Sequence, residues 1–439
     1  MATATVTGSA TTNAAQAELS STQIRKRSAL GERRRSLRAG DGLRVCVVGL
    51  GYIGLPTASI LGTKGCRVFG VDVSPQVVDT INAGRIHIEE PDLDLIVKAA
   101  VQAGNLTAAT VPSEADVFVL AVPTPIQPDK QPDVSMVESA ARAIAPYVRK
   151  GNLVILESTS PVGTTDGVVA RVLREAGHVI GEDVYVAYCP ERVLPGRILT
   201  ELIENDRVVG GVDDASTEVA LEFYQGFVRG EVVGTDSRTA EMVKLSENSY
   251  RDVNIAYANE LSMVCDRAGI SVWEVIRIAN RHPRVKILQP GPGVGGHCIA
   301  VDPWFIVAGD PQNAKVIRAA REVNDRKPHW VIDKVEQCAR RVVDPVIACL
   351  GLSFKADVDD LRESPAVEIV HELKRRNLGE LLVVEPHLLF HPDFELVKLE
   401  EAVRRANIVL VLVDHKPFKR LRRDALNEKI LIDTRGLFL

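Results

Sequence analysis

The stretch Arg44-Val-Cys-Val-Val-Gly49-Leu-Gly51-Tyr52-Ile53-Gly54 decides the fold of this chain. Four apolar residues in a row read as a strand buried on both faces, and the glycines that follow turn the backbone into a helix. Gly49 suits the tight turn, Gly51 lets the backbone approach a pyrophosphate, and Gly54 lets the helix pack on the sheet. Alone such a pattern is weak. Here it is answered by Asp72, at the end of a second apolar run Arg67-Val-Phe-Gly-Val-Asp72. A carboxylate at that place accepts hydrogen bonds from ribose hydroxyls and repels a 2′-phosphate, so NAD is expected rather than NADP. The expected cofactor-binding set is Gly49, Gly51, Tyr52, Ile53, Gly54 and Asp72, joined by Thr124 and Thr159 below.

Further apolar runs follow at Val117–Val122, Leu153–Glu157 and Val184–Tyr188, separated by helical stretches. Continuous apolar strands alternating with helices imply a parallel, doubly wound sheet covered on both faces. From Arg238 to about Ala268 there is no Pro or Gly, and Met242, Leu245, Val253, Ala256, Leu261 and Val264 supply a helical stripe. A helix of that length is expected to bridge domains and to pair with a second subunit. A second α/β unit begins near Val346, with strands at Val346–Leu350, Leu381–Glu385, Ile408–Val413 and Ile430–Asp433 and a helix over Pro365–Arg376. The fold class is therefore α/β: two Rossmann-like parallel-sheet domains joined by a helical central domain with a long bridging helix. The expected divisions are a disordered basic extension over 1–42, an NAD-binding domain over 43–235, a helical dimerisation domain over 236–335, and an α/β substrate domain over 336–439.

Composition narrows the class. The chain has 439 residues, 46% hydrophobic and 25% charged, with a formal net charge of −5, which gives no reason to expect nucleic acid. No apolar run approaches the ~20 residues that cross a bilayer, so no membrane segment is expected. Seven cysteines, an odd number with no C-x-x-C pair, argue for reduced thiols in a cytoplasmic setting and against disulfides or a metal site. Residues 1–40 stand apart: Ala, Thr and Ser, then Arg25-Lys-Arg27 and Arg33-Arg-Arg35, with only Glu18 and Glu32 acidic. A transit peptide would need a cleavage signal that is absent here, so a disordered basic arm is the expectation.

The chemistry concentrates downstream. Gly291-Pro-Gly-Val-Gly-Gly-His-Cys-Ile-Ala-Val-Asp302 presents Cys298 on a glycine-rich loop, with Gly295 among the residues that let backbone approach a ligand. A thiolate captures an aldehyde as a thiohemiacetal and carries it through a second oxidation as a thioester. A buried structural cysteine is the plain alternative. His297 is adjacent, but consecutive side chains diverge, so it is given no catalytic part. Glu241, Lys244 and Asn248 fall on one helical face, where a buried lysine could stabilise an oxyanion; a solvated Glu–Lys pair would share the spacing. Thr124, Thr159, and Glu191 with Arg192 lie just past strands, where ligands bind in such sheets, although turn chemistry accounts for the same residues. Lys355 and Arg362 follow the first strand of the last domain and suit a diphosphate, or else pair with their own acidic neighbours.

Together these residues resemble the nucleotide-sugar 6-dehydrogenase family, which includes UDP-glucose dehydrogenase, from about residue 43 to the end. The likeness is carried by Ile86-His-Ile-Glu-Glu-Pro-Asp92, Tyr188-Cys-Pro-Glu-Arg-Val-Leu-Pro-Gly196, Ala279-Asn-Arg-His-Pro-Arg-Val285 and Gly291–Trp304. It is nearest to members acting on UDP-N-acetyl-D-mannosamine: His297 stands where UDP-glucose enzymes usually have a serine or another small or aromatic residue, and Ala300-Val-Asp-Pro-Trp304 replaces their Pro-Lys-Asp. The resemblance implies an NAD-dependent four-electron oxidation at C6, from alcohol to uronate. It makes Cys298 the nucleophile and Lys244 the oxyanion stabiliser, with Asn248 and Asp302 positioning it and the hydrolytic water. Glu191 and Thr159 would hold a water near the reacting carbon, Arg284 would reach the sugar nucleotide of a neighbouring subunit, and Lys355 and Arg362 would contact the UDP-sugar. UDP-N-acetylglucosamine or UDP-glucose as substrate, a single-step dehydrogenase, and a non-catalytic nucleotide-sugar-binding regulator are the competing readings. A homodimer or higher homo-oligomer is expected.

Overall fold

The computed structural model describes residues 36–296 and 298–438, so residues 1–35 of the expected basic extension and His297 lie outside the described residues. Two compact units divide the chain. The first holds residues up to Val122, Val137–Glu157 and Thr165–Ser237; the second holds Pro123–Met136, Ser158–Thr164 and Arg238 onward.

The first unit is built on an eight-stranded sheet: β1 (Arg44–Val48), β2 (Arg67–Val71), β3 (Leu106–Ala109), β4 (Val117–Leu120), β5 (Leu153–Leu156), β6 (Tyr185–Tyr188), β7 (Arg207–Gly211) and β8 (Val232–Asp236). The order is β3-β2-β1-β4-β5-β6-β7-β8. The first six strands run parallel, in the order of a doubly wound dinucleotide fold, with β1 in register between β2 and β4. Every residue of β4, β5 and β6 is buried, as strands covered on both faces require. The expectation of a wholly parallel sheet needs correction at one edge, where β7 runs antiparallel to β6. The last two strands and β3 carry glycine, alanine or exposed positions, so they lack the continuous apolar run that marks the inner strands.

Residues 36–42, expected to belong to a disordered arm, are packed instead. Leu37 and Ala39 are buried, the Ala39 amide donates to the carbonyl of Phe223, and a Cβ on Gly226 would lie 2.4 Å from the Ala39 carbonyl. Leu37 and Ala39 are apolar enough to gain from burial, and the basic residues around them masked that signal.

In the second unit the helix Ser237–Ala268 runs unbroken for 32 residues. A second long helix, Lys315–Ala339, was not legible because Pro328 lies inside it. It continues through the boundary expected at residue 335, so that division falls within one rigid element. The small sheet has the order β10-β9-β11-β12, with β9 (Val346–Leu350), β10 (Glu380–Val384), β11 (Ile408–Val411) and β12 (Ile430–Asp433) all parallel. Alternate residues face opposite cores: Ile347 and Cys349 pack with Val331, Val335 and Ile369, and Ala348 and Leu350 with Ala402 and Val403. Among the described residues no helix is long and apolar enough to cross a membrane.

Candidate active site

The glycine loop of the first unit behaves as its spacing demands. Gly49 has a φ of +91°, and a Cβ there would lie 2.5 Å from the Ala121 carbonyl. A Cβ on Gly54 would meet the Gly49 carbonyl at 1.8 Å, whereas one on Gly51 meets nothing within 4 Å. Two glycines are thus fixed by the fold itself, and the third leaves open space where a backbone amide can approach phosphate. The helix Gly54–Thr63 begins at Ile53 without a side-chain cap, and every residue from Gly54 to Gly62 is buried. Tyr52 packs partly against the core. Asp72 closes the loop: its carboxylate accepts the Leu50 amide at 3.1 Å and the Ser74 amide at 3.0 Å. Those bonds hold the half-buried Asp72 carboxylate at the strand end, with lone pairs remaining for ribose hydroxyls. These residues fit an NAD molecule.

Glu191 and Arg192 also belong to the first unit, half-buried after β6. Arg192 donates to the carbonyl of Asp206 at 3.2 Å. The segment that follows is fixed by a residue to which no role was assigned from sequence, Glu90. It is 6% exposed, and its two oxygens accept the amides of Ile198 (2.7 Å) and Gly196 (2.8 Å). The stretch Ile86–Asp92 carries part of the family likeness, but only the fold reveals which of its two glutamates turns inward.

The second unit gathers the remaining polar residues. Glu241 is fully buried and Lys244 and Asn248 nearly so, which removes the solvated ion-pair reading of that spacing. The Glu241 carboxylate accepts the amide of Gly163, in the turn after Thr159. Thr124 donates its hydroxyl hydrogen to the Thr159 carbonyl, so both threonines are held together by their own contact. Asp302 is 3% exposed and accepts a hydrogen bond from the Asn248 amide nitrogen. Burial pushes its carboxyl up to about 6, against the pull of the Lys244 ammonium and the Asn248 bond. Cys298 is exposed in the turn just before, and its carbonyl accepts the amides of Val301 (3.1 Å) and Asp302 (2.9 Å). Lys244, Asn248 and Asp302 therefore form one cluster, with Cys298 one turn ahead of Asp302.

The glycines around Cys298 have a second physical reason. A Cβ on Gly295 would lie 2.5 Å from the Glu363 carbonyl and 2.9 Å from the Phe354 Cβ. The room they make at this end of the loop is taken by the protein's own 354–365 segment. The Gly296 amide also donates to the Arg362 carbonyl at 3.2 Å. Arg362 forms a forked pair with Asp360, its Nη2 2.6 Å from Oδ2, so the internal ion pair allowed by that stretch is present. Half-buried Lys355 sits in a loop braced by Glu385, which accepts the amides of Leu352 (2.7 Å) and Ser353 (3.1 Å) and faces His415 Nε2 at 3.1 Å. Asp357, His387 and His415 offer ligand atoms within 4.8 Å of one another. Yet His415 Nδ1 accepts the Asp357 amide at 2.9 Å and Nε2 faces Glu385, so the buried ring is committed to the loop. Arg284 is exposed beyond the helix Val272–Ala279.

The comparisons with known proteins agree along the chain. Models of the UDP-glucose/GDP-mannose dehydrogenase family match its NAD binding domain at residues 43–228, its central domain at 238–326 and its UDP binding domain at 348–438. An NDP-N-acetyl-D-galactosaminuronic acid dehydrogenase from Ralstonia nicotianae is 58% identical, over 91% of this chain and 97% of that protein. The UDP-N-acetyl-D-mannosamine dehydrogenase of Escherichia coli is 53% identical, over 90% and 99% respectively. Among solved structures, a UDP-N-acetyl-mannosamine dehydrogenase from Staphylococcus aureus superposes with a TM-score of 0.83 at 45% identity, covering 90% of this chain and 95% of that one. With matching domains from end to end and relatives this similar, the chain belongs to the UDP-glucose/GDP-mannose dehydrogenase family and is an NAD-dependent nucleotide-sugar dehydrogenase.

Proposed function

We propose that the protein oxidises UDP-N-acetyl-D-mannosamine at C6 to the uronate, in two oxidations that share one site. The observation that carries this reading is the buried Asp302, held by Asn248 and facing Lys244, one turn after an exposed thiol. Bound NAD⁺ accepts a hydride in each oxidation. The protein's part begins with Lys244, which stabilises the developing C6 oxyanion as the alcohol becomes an aldehyde. The Cys298 sulfur then adds to C6; its electron pair forms the C–S bond while the carbonyl pair moves to oxygen, giving a thiohemiacetal. Loss of the second hydride leaves a thioester. Water, with a proton passed to Asp302, attacks C6, the C–S bond breaks, and the thiolate leaves. In sum an alcohol, two NAD⁺ and water give a carboxylate, two NADH and three protons.

Glu191 and Thr159 are assigned to the water near C6. Arg192, Gly295, Lys355 and Arg362 are assigned to the UDP-sugar, whose diphosphate supplies remote binding energy. Residues 43–235 are assigned to the cofactor, the helical segment from 236 through the end of Lys315–Ala339 to the dimer, and the α/β segment from β9 onward to nucleotide-sugar binding. Tyr250, Tyr257 and Val264 are 71%, 56% and 59% exposed and recur every seventh residue of the helix Ser237–Ala268, which supports a homodimer formed on that seam, with Arg284 reaching the neighbouring site. The reaction is placed in the cytoplasm, where thiols stay reduced.

A second reading has an observation behind it. The 58% identical relative is named for a galactosaminuronic acid, so a UDP-sugar of galacto configuration is the rival substrate. NADH yield per mole with UDP-N-acetyl-mannosamine, -galactosamine and -glucosamine and with UDP-glucose decides. Two NADH with the manno sugar at the highest kcat/KM is expected; preference for another sugar removes the substrate reading. Cys298→Ala should stop after one NADH, and full uronate formation by that variant would remove the covalent step.

A further inference from the structure

The loop Gly291–Asp302 is tied to the helix Ser237–Ala268 at two points. At one end Asn248 donates to Asp302. At the other, the Gly291 amide donates to Asn259 Oδ1 at 2.8 Å. The two asparagines are 11 residues apart (259 − 248), about 16 Å along the helix at 1.5 Å per residue. Cys298 lies on the loop between these two ties, and Lys244 lies on the helix that makes both.

Asn259 is fully buried, and its orientation is forced. The Gly291 amide can only donate, so it must face the side-chain oxygen. The Asn259 nitrogen then donates to Asn324 Oδ1 at 2.9 Å, which turns the Asn324 nitrogen toward Asp252 Oδ1 at 2.8 Å and its carbonyl at 3.1 Å. Behind Asp252 stands Arg321, its Nη1 2.6 Å from Oδ1, with both side chains almost wholly buried. Three hydrogen bonds thus point the same way, from Gly291 toward one carboxylate, and neither carboxamide can flip without breaking two of them. Chains of this kind polarise one another in a dry interior. The rest of the loop has little slack. A Cβ on Gly293 would press on Pro365 at 2.8 Å and Pro328 at 3.1 Å, and one on Gly291 would meet Arg435 Nη1 at 2.7 Å.

We propose that Asn259, backed by Asn324 and the Asp252–Arg321 pair, is a positioning residue that sets the register of the Cys298 loop against Lys244 and Asp302. It touches no reacting atom; it fixes where the thiol stands. The proposal rests on Cys298 being the nucleophile of the second oxidation, and its test separates the two. Misplacing a reacting group by about 1 Å lowers a rate by about 100-fold. The second oxidation, which alone needs the sulfur at C6, should therefore suffer most.

The experiment measures kcat and KM of wild type, Asn259→Ala, Asn324→Ala and Cys298→Ala with the UDP-sugar alcohol and its 6-aldehyde, and hydrogen exchange at the Gly291 amide. Asn259→Ala should lose about 100-fold in kcat with the aldehyde, with KM changed less than about threefold and alcohol oxidation less affected. The Gly291 amide should be protected in wild type and exchange readily in Asn259→Ala, with Asn324→Ala between them. Equal loss of both oxidations, aldehyde kcat within about threefold of wild type, or unchanged protection at Gly291 would overturn the proposal. If Asn259→Ala does not fold, Asn324→Ala decides by the same two readouts. A Cys298→Ala enzyme that still completes the acid refutes the nucleophile; one that stalls while Asn259→Ala does not refutes only the positioning role.

Discussion

Lowering the pH should silence the second oxidation at a value set by Asp302. Burial raises this carboxyl from 3.8 to about 6, a difference of about 2 units and therefore about 3 kcal/mol against the charged form. In the proposed role of base toward the attacking water, Asp302 must be ionised. The kcat for the 6-aldehyde should then fall about tenfold per unit below pH 6, whereas an ordinary carboxylate would hold its rate to about pH 4. Asn248 donates to the charged form, and a hydrogen bond to a charged group is worth about 1.5 kcal/mol. Asn248→Ala should therefore move the limb up by about one unit. The assay is a pH–rate profile between about pH 4.5 and 9 for wild type, Asn248→Ala and Asp302→Asn. A limb near pH 4, a limb that stays or moves down in Asn248→Ala, or the same limb in Asp302→Asn would refute the reasoning. Stability carries the matching sign. Between pH 4 and 6 the folded protein holds this proton while the unfolded chain has released it, so the group's contribution is fully present below 3.8 and is lost as pH rises through about 6.

Other outcomes are readable in the same way. Gly51→Ala should fold within about 0.5 kcal/mol of wild type yet raise the KM for NAD, because its Cβ enters open space; Gly54→Ala, which drives a Cβ to 1.8 Å from a carbonyl, should not give folded protein, as circular dichroism would report. Glu90→Ala strands the buried amide of Ile198 and frees the part-buried amide of Gly196, and should lower stability by about 1–3 kcal/mol in urea unfolding, while raising the KM for the UDP-sugar. Tyr257→Lys puts a charge in the outward apolar seam and should shift the protein toward monomer in sedimentation, with Tyr250→Lys acting the same way.

The elements that sequence pattern reveals are those whose burial is local and complete. Strands β1, β4, β5 and β6 announce themselves as unbroken apolar runs, and the helices Ser237–Ala268 and Pro365–Arg376 were expected almost to the residue because nothing within them breaks a helix. What stayed hidden depends on partners far along the chain. The strands β7 and β8 hold their places by pairing rather than by hydrophobicity. Lys315–Ala339 hides behind Pro328, although the packing of its neighbours tolerates the lost amide bond. At the site, residue types with strong chemical meaning (Cys298, Lys244, Asp302) were legible. The groups that hold loops in place, Glu90 and Asn259, were not, since a glutamate or asparagine accepting backbone amides leaves no local mark.

The helix Ser237–Ala268 shows why pattern alone misleads at a functional site. Its expected apolar stripe included Met242 and Val264, which are 40% and 59% exposed, whereas Leu245 and Ala256 are buried. The inward face is instead polar: Glu241, Lys244, Asn248, Asp252 and Asn259 are each less than a tenth exposed. At 100° per residue these five fall within one narrow sector, and Tyr250 and Tyr257 lie nearly opposite. Buried Ala240, Leu245, Ala256, Ala258 and Cys265 still give this helix a hydrophobic reason to pack, but each inward polar group costs free energy unless it finds a partner. Asp252 Oδ1 finds Arg321 and Asn324 while its Oδ2 stays without a hydrogen bond, Asn259 finds Gly291 and Asn324, Asn248 finds Asp302, and Glu241 finds Gly163. The partners come from the thiol loop, the Thr159 turn and the second long helix. Pairing this one face therefore requires the Cys298 loop and the Thr159 turn to be seated against the helix, so the burial requirement that stabilises the helix also assembles the candidate site.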